Sequence, residues 1–357
     1  MVPRLQSLDV FRGLTIALMI LVNTPGDGRN VYAPLRHAEW HGWTLTDCVF
    51  PSFVWIVGVA ITFSLGRKRD QPRPALYLDI LRRSAILFAL GLLIYAFPTF
   101  PLDSFRVLGV LQRIAICYAV AAIVFLNTGI RGQIAAAFAL LGGYWAIMAW
   151  IPAPGFAAGD LSVEGNIAHY VDNIVLGAHN YAETKTWDPE GLVSTLPSIA
   201  TCLLGVLAGH VLRGTDGVAI RAQRLVIIGV SLIAAGMLLD SVLPINKKLW
   251  TSSFTLLMAG LDFAVMSALL LIVDGWRVIT PFRPVMIMGM NAIALYLASE
   301  FIEVFLHLFH WKQPIYQAVF APLASPVNAS LLYAISYTLL HLGLAFWLYR
   351  RNLFLKA

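Results

Sequence analysis

The sequence predicts an all-α integral membrane protein whose transmembrane helices, about ten in number, form one bundle. Of its 357 residues, 59% are hydrophobic and 12% are charged, and the mean hydropathy is +0.76. A soluble domain of ordinary composition carries about twice that charged fraction. Apolar runs separated by polar loops recur along the whole chain, without a sequence repeat or a low-complexity segment. A single transmembrane domain over residues 1–357 is therefore expected.

Each predicted span is an apolar run of roughly 20 residues, the length that crosses the hydrocarbon core of a bilayer. The first span, at about 8–24, is the least hydrophobic of the set. Asn-Thr-Pro-Gly follows it where a signal peptide would have a small-residue cleavage site, so we interpret it as a retained helix. The other spans lie at about 45–66, 80–97, 107–126, 133–151, 192–212, 222–243, 249–273, 284–308 and 331–349.

The distribution of lysine and arginine predicts the orientation of the chain. With the N-terminus inside, 17 of the 25 cations lie at cytoplasmic ends or loops, and this excess places both termini in the cytoplasm. The same scatter through short loops argues against nucleic-acid binding in spite of a pI of about 9.3. Seven cations are predicted to lie outside: Arg29, Arg36, Arg106, Lys185, Lys247, Lys248 and Lys312.

The three cysteines, Cys48, Cys117 and Cys202, lie in or beside apolar runs without paired spacing. This pattern indicates neither a disulfide framework nor a cysteine zinc site. The predicted outer loops hold more distinctive chemistry, above all the stretch LRHAEWHGWTLTDCVFP at residues 35–51. Its two histidines, His37 and His41, are four residues apart, but the zinc-protease motif needs a glutamate directly after the first histidine. No metal site is expected.

The two histidines of this stretch receive different interpretations. For His41, a position at the membrane interface beside two tryptophans is the simpler explanation. His37 lies close in sequence to Asn23, which ends the first span, and to Asp47, which starts the second. Imidazole accepts protons near neutral pH, and a neighbouring carboxylate or amide fixes its tautomer. We therefore predict that His37, Asn23 and Asp47 form a catalytic group with His37 as the base.

Ionisable and amide residues inside spans should face the bundle interior or a wet cavity. Gln112 and Arg113 in the fourth span and Glu300 and Glu303 in the ninth meet this description. Arg113 is predicted to lie at a depth where it could pair with one of the glutamates. A structural ion pair and a direct role in chemistry both remain open.

Two polar segments lead straight into predicted spans: DPEGLVSTLPSIA from Asp188 and PINKKLWTSSF from Pro244. Helix starts expose backbone amides that suit anions and carbonyl oxygens, so ligand contacts and ordinary helix capping are alternative interpretations. On the predicted cytoplasmic side lie the cations from Arg67 to Arg73, with Arg82 and Arg83. Binding of a polyphosphate and the ordinary excess of cations on the cytoplasmic side are alternative interpretations of this cluster.

Six blocks, taken together in this order, resemble the transmembrane acyltransferase family that includes heparan-alpha-glucosaminide N-acetyltransferase and bacterial NagX-type relatives. They are RLQSLDVFRG at 4, HAEWHGWTLTDCVFPSFVWIVG at 37, GVLQRIAICY at 109, DPEGLVSTLPSIATCLLG at 188, NKKLWTSSF at 246 and GMNAIALY at 289. The resemblance covers nearly the whole chain. It leads us to expect the membrane core of such a protein without a large lumenal N-terminal region, in a bacterial inner membrane.

The resemblance implies transfer of an acetyl group from cytosolic acetyl-CoA to an amino sugar on the far side of the membrane, by a homodimer embedded in lipid. His37 matches the family's active-site histidine and Asn23 an implicated asparagine, with His37 acting as base or as acetyl carrier. Acetyl-CoA would be bound by Gln112, Arg113, Asn246, Lys247, Trp250, Ser253 and Asn291, with Arg82 and Arg83 at its phosphates, and the sugar by Asp188, Glu190, Glu300 and Glu303.

Two alternatives stand beside this expectation. An O-acetyltransferase of a cell-envelope glycan would use the same residues on a hydroxyl acceptor. A sugar or proton carrier would use the buried arginine and glutamates without acyl chemistry. Thiol release from acetyl-CoA separates both enzymes from the carrier.

Overall fold

A computed structural model describes residues 5–68 and 70–355, so the predicted inner cations Arg4, Arg69 and Lys356 lie outside the described residues. The all-helical prediction is confirmed: the described residues form thirteen α-helices, and the β-structure among them is one isolated parallel bridge, Gly42 to Asn246. The helices are α1 (Gln6–Asn23), α2 (Leu45–Leu65), α3 (Arg73–Ala96), α4 (Val110–Asn127), α5 (Ile130–Trp150), α6 (Ile167–Leu176), α7 (Thr195–Leu212), α8 (Val218–Leu239), α9 (Ser252–Leu269), α10 (Arg283–Met290), α11 (Ala292–Leu308), α12 (Lys312–Ile315) and α13 (Pro326–Arg350).

Within the described residues, eight helices are long and apolar enough to cross a membrane, so the chain is a multi-pass integral membrane protein. They are α1, α2, α4, α5, α7, α8, α9 with its π-helical continuation to Gly275, and α13. The pair α10 and α11 makes a ninth if the two count as one broken span. The predicted count of ten stays a prediction. The difference is α3, which has 24 residues but carries Asp79, Arg82 and Arg83 within its length.

The predicted ninth span is broken at Asn291, where α10 and α11 meet with a bend of 71°. The break frees backbone groups that must find partners inside a bilayer. The buried Asn291 side chain donates from Nδ2 to the carbonyl of Leu353 (3.1 Å) and accepts the N–H of Leu355 (3.2 Å). The C-terminal segment is thereby held at the break.

The chain divides into two compact units. The first comprises the described residues up to Glu39, then Trp43–Phe50, then those from Val265 onward. In it α1 packs against α10 so closely that a Cβ on Gly13 would lie 1.7 Å from the carbonyl oxygen of Val285. Asp274 accepts the N–H groups of Gln6 and Ser7 (3.2 and 3.1 Å) and caps the start of α1.

The second unit comprises Trp40–Gly42 and Pro51–Ala264. Here α4 packs against α3 and α7, and α5 packs against α7. Buried aromatic contacts such as Trp55 with Phe263, at 5.3 Å between ring centroids, fill the interior. A hydrogen bond of 2.5 Å joins Ser52 to Asp262 within it. The HAEWHG stretch is divided, since His37 belongs to the first unit and His41 to the second.

Candidate active site

His37 and Asp47 form a hydrogen-bonded pair in the first unit. Nδ1 of His37 lies 2.6 Å from Oδ1 of Asp47, whose side chain is 1% exposed. An ionised carboxylate can only accept a hydrogen bond, so Nδ1 carries the proton and Nε2 keeps its lone pair. The His37 side chain is 49% exposed. The structure thus brings together two of the three predicted catalytic residues and leaves the basic nitrogen accessible.

Asp47 is fixed by the start of α2. It is the third residue of the helix, and its Oδ2 accepts the backbone N–H groups of Thr44 and Ala38, each at 3.0 Å. Its own N–H donates to the carbonyl of Thr44 at 3.1 Å. The bond from the N–H of Thr44 to the Asp47 carboxylate is one half of a capping box, which the letters T-L-T-D at 44–47 make readable in the sequence. One carboxylate therefore caps the helix and orients the imidazole of His37.

His41 has a different partner, in the second unit. The N–H of Gly42 donates to the carbonyl of Ile245 (2.7 Å), and this pairing sets Nδ2 of Asn246 at 3.4 Å from Nδ1 of His41. Asn246 is fully buried, and its Oδ1 accepts the N–H of Leu249 at 2.9 Å. The imidazole of His41 itself is exposed. Asn246, predicted as a cofactor contact, thus closes the turn at 246–249, and its amide also reaches His41.

Arg113 and Gln112 carry buried polar atoms that no neighbour satisfies. Arg113 is 1% exposed, its guanidinium carbon lies 5.1 Å from the ring centroid of Trp250, and Nη2 donates to Gly191 (3.0 Å) and Ser194 (2.5 Å). Across the described ranges, Nε and Nη1 of Arg113 and both amide atoms of Gln112 have no hydrogen-bond partner. Buried polar groups in proteins are nearly always paired, which makes these atoms candidate ligand contacts.

Arg106 organises the acidic segment that precedes α7. Nε and Nη2 of Arg106 donate to Oδ2 and Oδ1 of Asp188 at 2.7 and 2.5 Å, and Nη2 also donates to Glu190. The rings of Tyr95 and Tyr181 lie 5.0 and 4.5 Å from the guanidinium carbon. We name this set the Arg106 network. The sequence predicted Arg106 only as an outer cation, because no local spacing links it to acids 82 and 84 residues away.

The charges of the Arg106 network shift its pKa values. Burial alone would lower the pKa of Arg106, but Glu190 and Asp188 raise it above its ordinary value. Burial alone would raise the pKa of Glu190, whereas Arg106 and Lys247 lower it to about 2. Burial raises the pKa of Asp188 above its ordinary value, although the hydrogen bond and the charge of Arg106 act in the opposite direction. The predicted sugar ligands Asp188 and Glu190 are therefore already engaged by a cation of the protein.

Asp172 on α6 holds the backbone of the same segment. Its Oδ1 accepts the N–H of Leu192 (2.9 Å) and its Oδ2 that of Asp188 (3.4 Å). Gly191 passes so close that a Cβ there would lie 1.9 Å from Oδ2. Burial raises the pKa of Asp172 to about 6, although these N–H groups act in the opposite direction. The amides of Asp188 and Leu192 are thus used within the protein, and α7 itself begins without a side-chain cap at Ser194.

The glutamates of α11 pair within the first unit. Glu303 lies 3.0 Å from Nζ of Lys312 and 3.4 Å from Nε2 of His307. Glu300, one turn earlier, is partly buried. The pairing of Arg113 with one of the two glutamates stays a prediction. Their role toward a sugar stays a prediction.

The remaining predicted residues are dispersed. Asn23 is exposed at the end of α1, and no hydrogen bond joins it to His37 among the described side chains. Arg82 is exposed on α3, and Arg83 lies 4.9 Å from the ring of Tyr118. The other predicted residues contact groups of the protein itself. Ser253 is buried 3.0 Å from Oγ1 of Thr251, and Asn291 holds the C-terminal segment. Lys247 lies 4.0 Å from Glu190, and Trp250 donates to Thr201 at 3.1 Å.

The described residues contain no group of three or more histidine, cysteine or acidic side chains placed to hold a metal ion. Two features emerged that sequence analysis missed. The capping box at 44–47 had a visible signal. The contacts of Arg106 and Asp172 with the segment from Asp188 to Leu192 had no signal in the sequence, because they join residues that are far apart in the chain.

The family model described as "Heparan-alpha-glucosaminide N-acetyltransferase, catalytic" matches residues 4–229, more than half of the chain. The proteins named heparan-alpha-glucosaminide N-acetyltransferase from Homo sapiens and Mus musculus are each 29% identical over 99% of this chain. The chain spans 60% of the length of each of these relatives. The chain therefore belongs to the heparan-alpha-glucosaminide N-acetyltransferase family.

Proposed function

We propose that this protein is a membrane acetyltransferase that transfers the acetyl group of acetyl-CoA to the amino group of a glucosamine-type sugar, with His37 as general base. The pairing of His37 with Asp47 is the observation that carries the proposal. An accessible imidazole whose tautomer is fixed by a buried carboxylate is the arrangement that general-base catalysis requires. The names of the relatives supply the acetyl group and the glucosaminide acceptor.

The step uses the lone pair of His37 Nε2. As the sugar nitrogen forms its bond to the acetyl carbon and the carbon–sulfur bond breaks, Nε2 takes a proton from that nitrogen. The proton then passes from Nε2 to the departing sulfur, so the reaction neither gains nor loses one. Asp47 stays ionised and stabilises the imidazolium that exists between the two transfers. A route through acetylated His37 would use the same lone pair and would release thiol before any acceptor is added.

Acetyl-CoA supplies the acetyl group as an activated thioester. The unpaired buried atoms of Gln112 and Arg113 match the amide and carbonyl groups of a pantetheine arm in hydrogen-bonding character. Arg82 and Arg83 carry the positive charge that the phosphates of CoA would need. Glu300, Glu303, Asp188 and Glu190 remain the proposed contacts to the sugar, and the last three would bind it together with the cations that pair with them, Lys312 and Arg106.

The cation distribution supports a cytoplasmic donor and an acceptor on the opposite side of the membrane. We place the protein in a bacterial inner membrane, as a homodimer. Crosslinking in isolated membranes, followed by gel analysis of two differently tagged copies, tests the dimer.

The experiment that tests the function measures thiol release from acetyl-CoA by purified protein, with and without glucosamine, and identifies the sugar product by mass spectrometry. We expect glucosamine-dependent release with wild type and a loss of at least about 10²-fold for His37→Ala. His310→Asn is the matched control, because His310 is exposed with φ of 55°, a conformation that asparagine tolerates. Thiol release with hydroxyl sugars alone would favour the O-acetyltransferase. Sugar uptake into vesicles without thiol release would favour the carrier.

A further inference from the structure

The short helix α6, in the second unit, directs its ionisable side chains inward and its apolar ones outward. His169 and Asp172 are buried, whereas Tyr170, Ile174 and Val175 are exposed, the last two at 62% each. Asp172 and His169 are the ionisable groups of the helix apart from the tyrosine, so its exposed face carries no charge. A helix that faces water has the opposite arrangement, with charged and polar residues on its outer face. The exposed face of α6 therefore suits apolar surroundings.

This face is held in a fixed direction, because α6 is capped at both ends and bonded along its inner side. At its start, Oδ1 of Asn166 accepts the N–H of His169 at 2.9 Å. At its end, Gly177 has a φ of 52°, the left-handed conformation that glycine adopts after a helix. On the inner side, Asp172 accepts the N–H groups of Leu192 and Asp188. The helix cannot turn its apolar side chains inward without breaking these bonds.

The packing of α6 against α5 sets its depth. Ile167 and Ala168, the first two residues of α6, share one buried apolar cluster with Tyr144 and Met148 of α5. The membrane-spanning α5 ends at Trp150. At 1.5 Å per residue, Tyr144 and Met148 lie about 9 and 3 Å below that end of the helix. Helices that lie in a membrane interface are buried by roughly 5–10 Å at the boundary of headgroups and acyl chains, which is the depth at which α6 begins.

The surface of α5 beside α6 is apolar as well. Trp150 and the following Ile151 are 68% and 49% exposed, and Ile134 and Phe138 are exposed further along the span. Lipid is the surrounding of such side chains on a membrane-spanning helix. Tyrosine and tryptophan are the residues enriched where a membrane meets water, and Tyr170 and Trp150 supply both. The exposed face of α6 therefore continues a surface that already contacts the bilayer.

We propose that α6 is an interfacial helix whose exposed face, formed by Tyr170, Ile174 and Val175, lies in the lipid leaflet at the Trp150 end of α5. The same helix binds Asp188 and Leu192 through Asp172 on its inner side. One short helix thus joins the membrane surface to the segment of the Arg106 network that precedes α7. The occupant of the exposed face is lipid, and neither water nor a second copy of the chain.

The accessibility of a nitroxide label at residue 174 tests this proposal. Ile174→Cys is made in the whole chain with Cys48→Ser, which removes the partly exposed native thiol and keeps a donor toward Thr44. The protein is reconstituted in phosphatidylcholine–phosphatidylglycerol vesicles. Phe138→Cys, on the exposed side of α5, is the lipid reference, and Ala182→Cys, in the exposed loop after α6, is the water reference. We expect the ratio of oxygen to nickel-chelate collision rates at 174 to exceed that at 182 several-fold and to approach that at 138.

Two results would overturn the proposal. A collision ratio at 174 equal to that at 182 would show that the face meets water. Low collision rates with both reagents, accompanied by dipolar broadening between labelled copies, would show that a second copy covers it. A bimane label at the same position gives an independent measurement: lipids brominated near the headgroup end of the acyl chain should quench it several-fold more than a label at 182. Both measurements are made without substrate, so their outcome is independent of the function proposed above.

Discussion

Asp47 and Asp188 are both buried carboxylates bound to a basic side chain, and the two regions around them differ in what the base is left free to do. Asp47 holds His37 by one nitrogen, and the His37 side chain is 49% exposed. Asp188 holds Arg106 through two hydrogen bonds, Glu190 takes a third, and the Arg106 side chain is 10% exposed. The first pair leaves a lone pair accessible, whereas the second directs Nε and both protons of Nη2 at the two acids.

This difference separates a reactive arrangement from a structural one. An imidazole has two nitrogens, so one can be fixed while the other exchanges a proton. A guanidinium has only hydrogen-bond donors and keeps its proton, so its role here is structural: it holds the acids around it in place. We therefore expect changes at Asp47 to affect turnover first and changes at Arg106 to affect folding first.

The largest expected effect is on stability, from Arg106→Ala. Removing the cation leaves Asp188 buried without its paired cation and Glu190 with Lys247 at 4.0 Å, which costs about 3–5 kcal/mol of unfolding free energy. Thermal unfolding followed by tryptophan fluorescence in detergent should show a large fall in Tm. Arg131→Ala, an exposed cation on α5, is the control and should change stability by less than about 0.5 kcal/mol. Equal Tm values for the two variants would remove the distinction drawn between the regions.

The next effect is on turnover, from Asp47→Asn. An amide at this position can direct its NH2 at His37, which moves the ring proton to Nε2 and removes the basic lone pair. We expect kcat for acetyl transfer to fall roughly 10²–10³-fold. Stability should fall by only about 1 kcal/mol, since part of the helix cap is retained. A variant with a large fall in Tm, but with an unchanged kcat at temperatures where it is folded, would show that Asp47 has a structural role like that of Asp188.

The smallest of the three effects is a dependence of stability on pH that comes from Asp172, a buried acid in the same region as Asp188. Burial raises the pKa of Asp172 to about 6, so between pH 4 and 6 the folded protein binds more protons than the unfolded chain. Stability from this group therefore falls as pH rises through that window, by at most roughly 3 kcal/mol, and is level above it.

The measurement for Asp172 is Tm between pH 4.5 and 7.5 for wild type and Asp172→Asn, taken as a difference at each pH. Glu190 acts in the opposite direction and at lower pH, because its pKa is lowered to about 2 and its stabilisation is lost only as pH falls below its unfolded value near 4.5. A wild-type-minus-variant difference that rises with pH would contradict the assignment.

Parts of the candidate site were predictable because their members are close along the chain. His37 and Asp47 are ten residues apart across a helix start, so a local motif brings them together. Asn246 and His41 are 205 residues apart, and the interfacial interpretation of His41 could not anticipate an amide from another loop. The break at Asn291 was hidden inside an unbroken apolar run, because hydropathy reports burial in lipid and not the hydrogen bonds of the backbone.

From the sequence we could predict the helical class, the membrane environment, the family resemblance and the His37–Asp47 pair. The first two follow from the transfer of apolar runs out of water, the resemblance from the order of its sequence blocks, and the pair from the ten-residue separation across the start of α2. The tertiary structure decided that Arg106 binds Asp188 and Glu190, that Glu303 pairs with Lys312, and that Asn246 turns its amide toward His41. Those contacts depend on which faces the helices and loops present once they pack, and no local pattern encodes that choice.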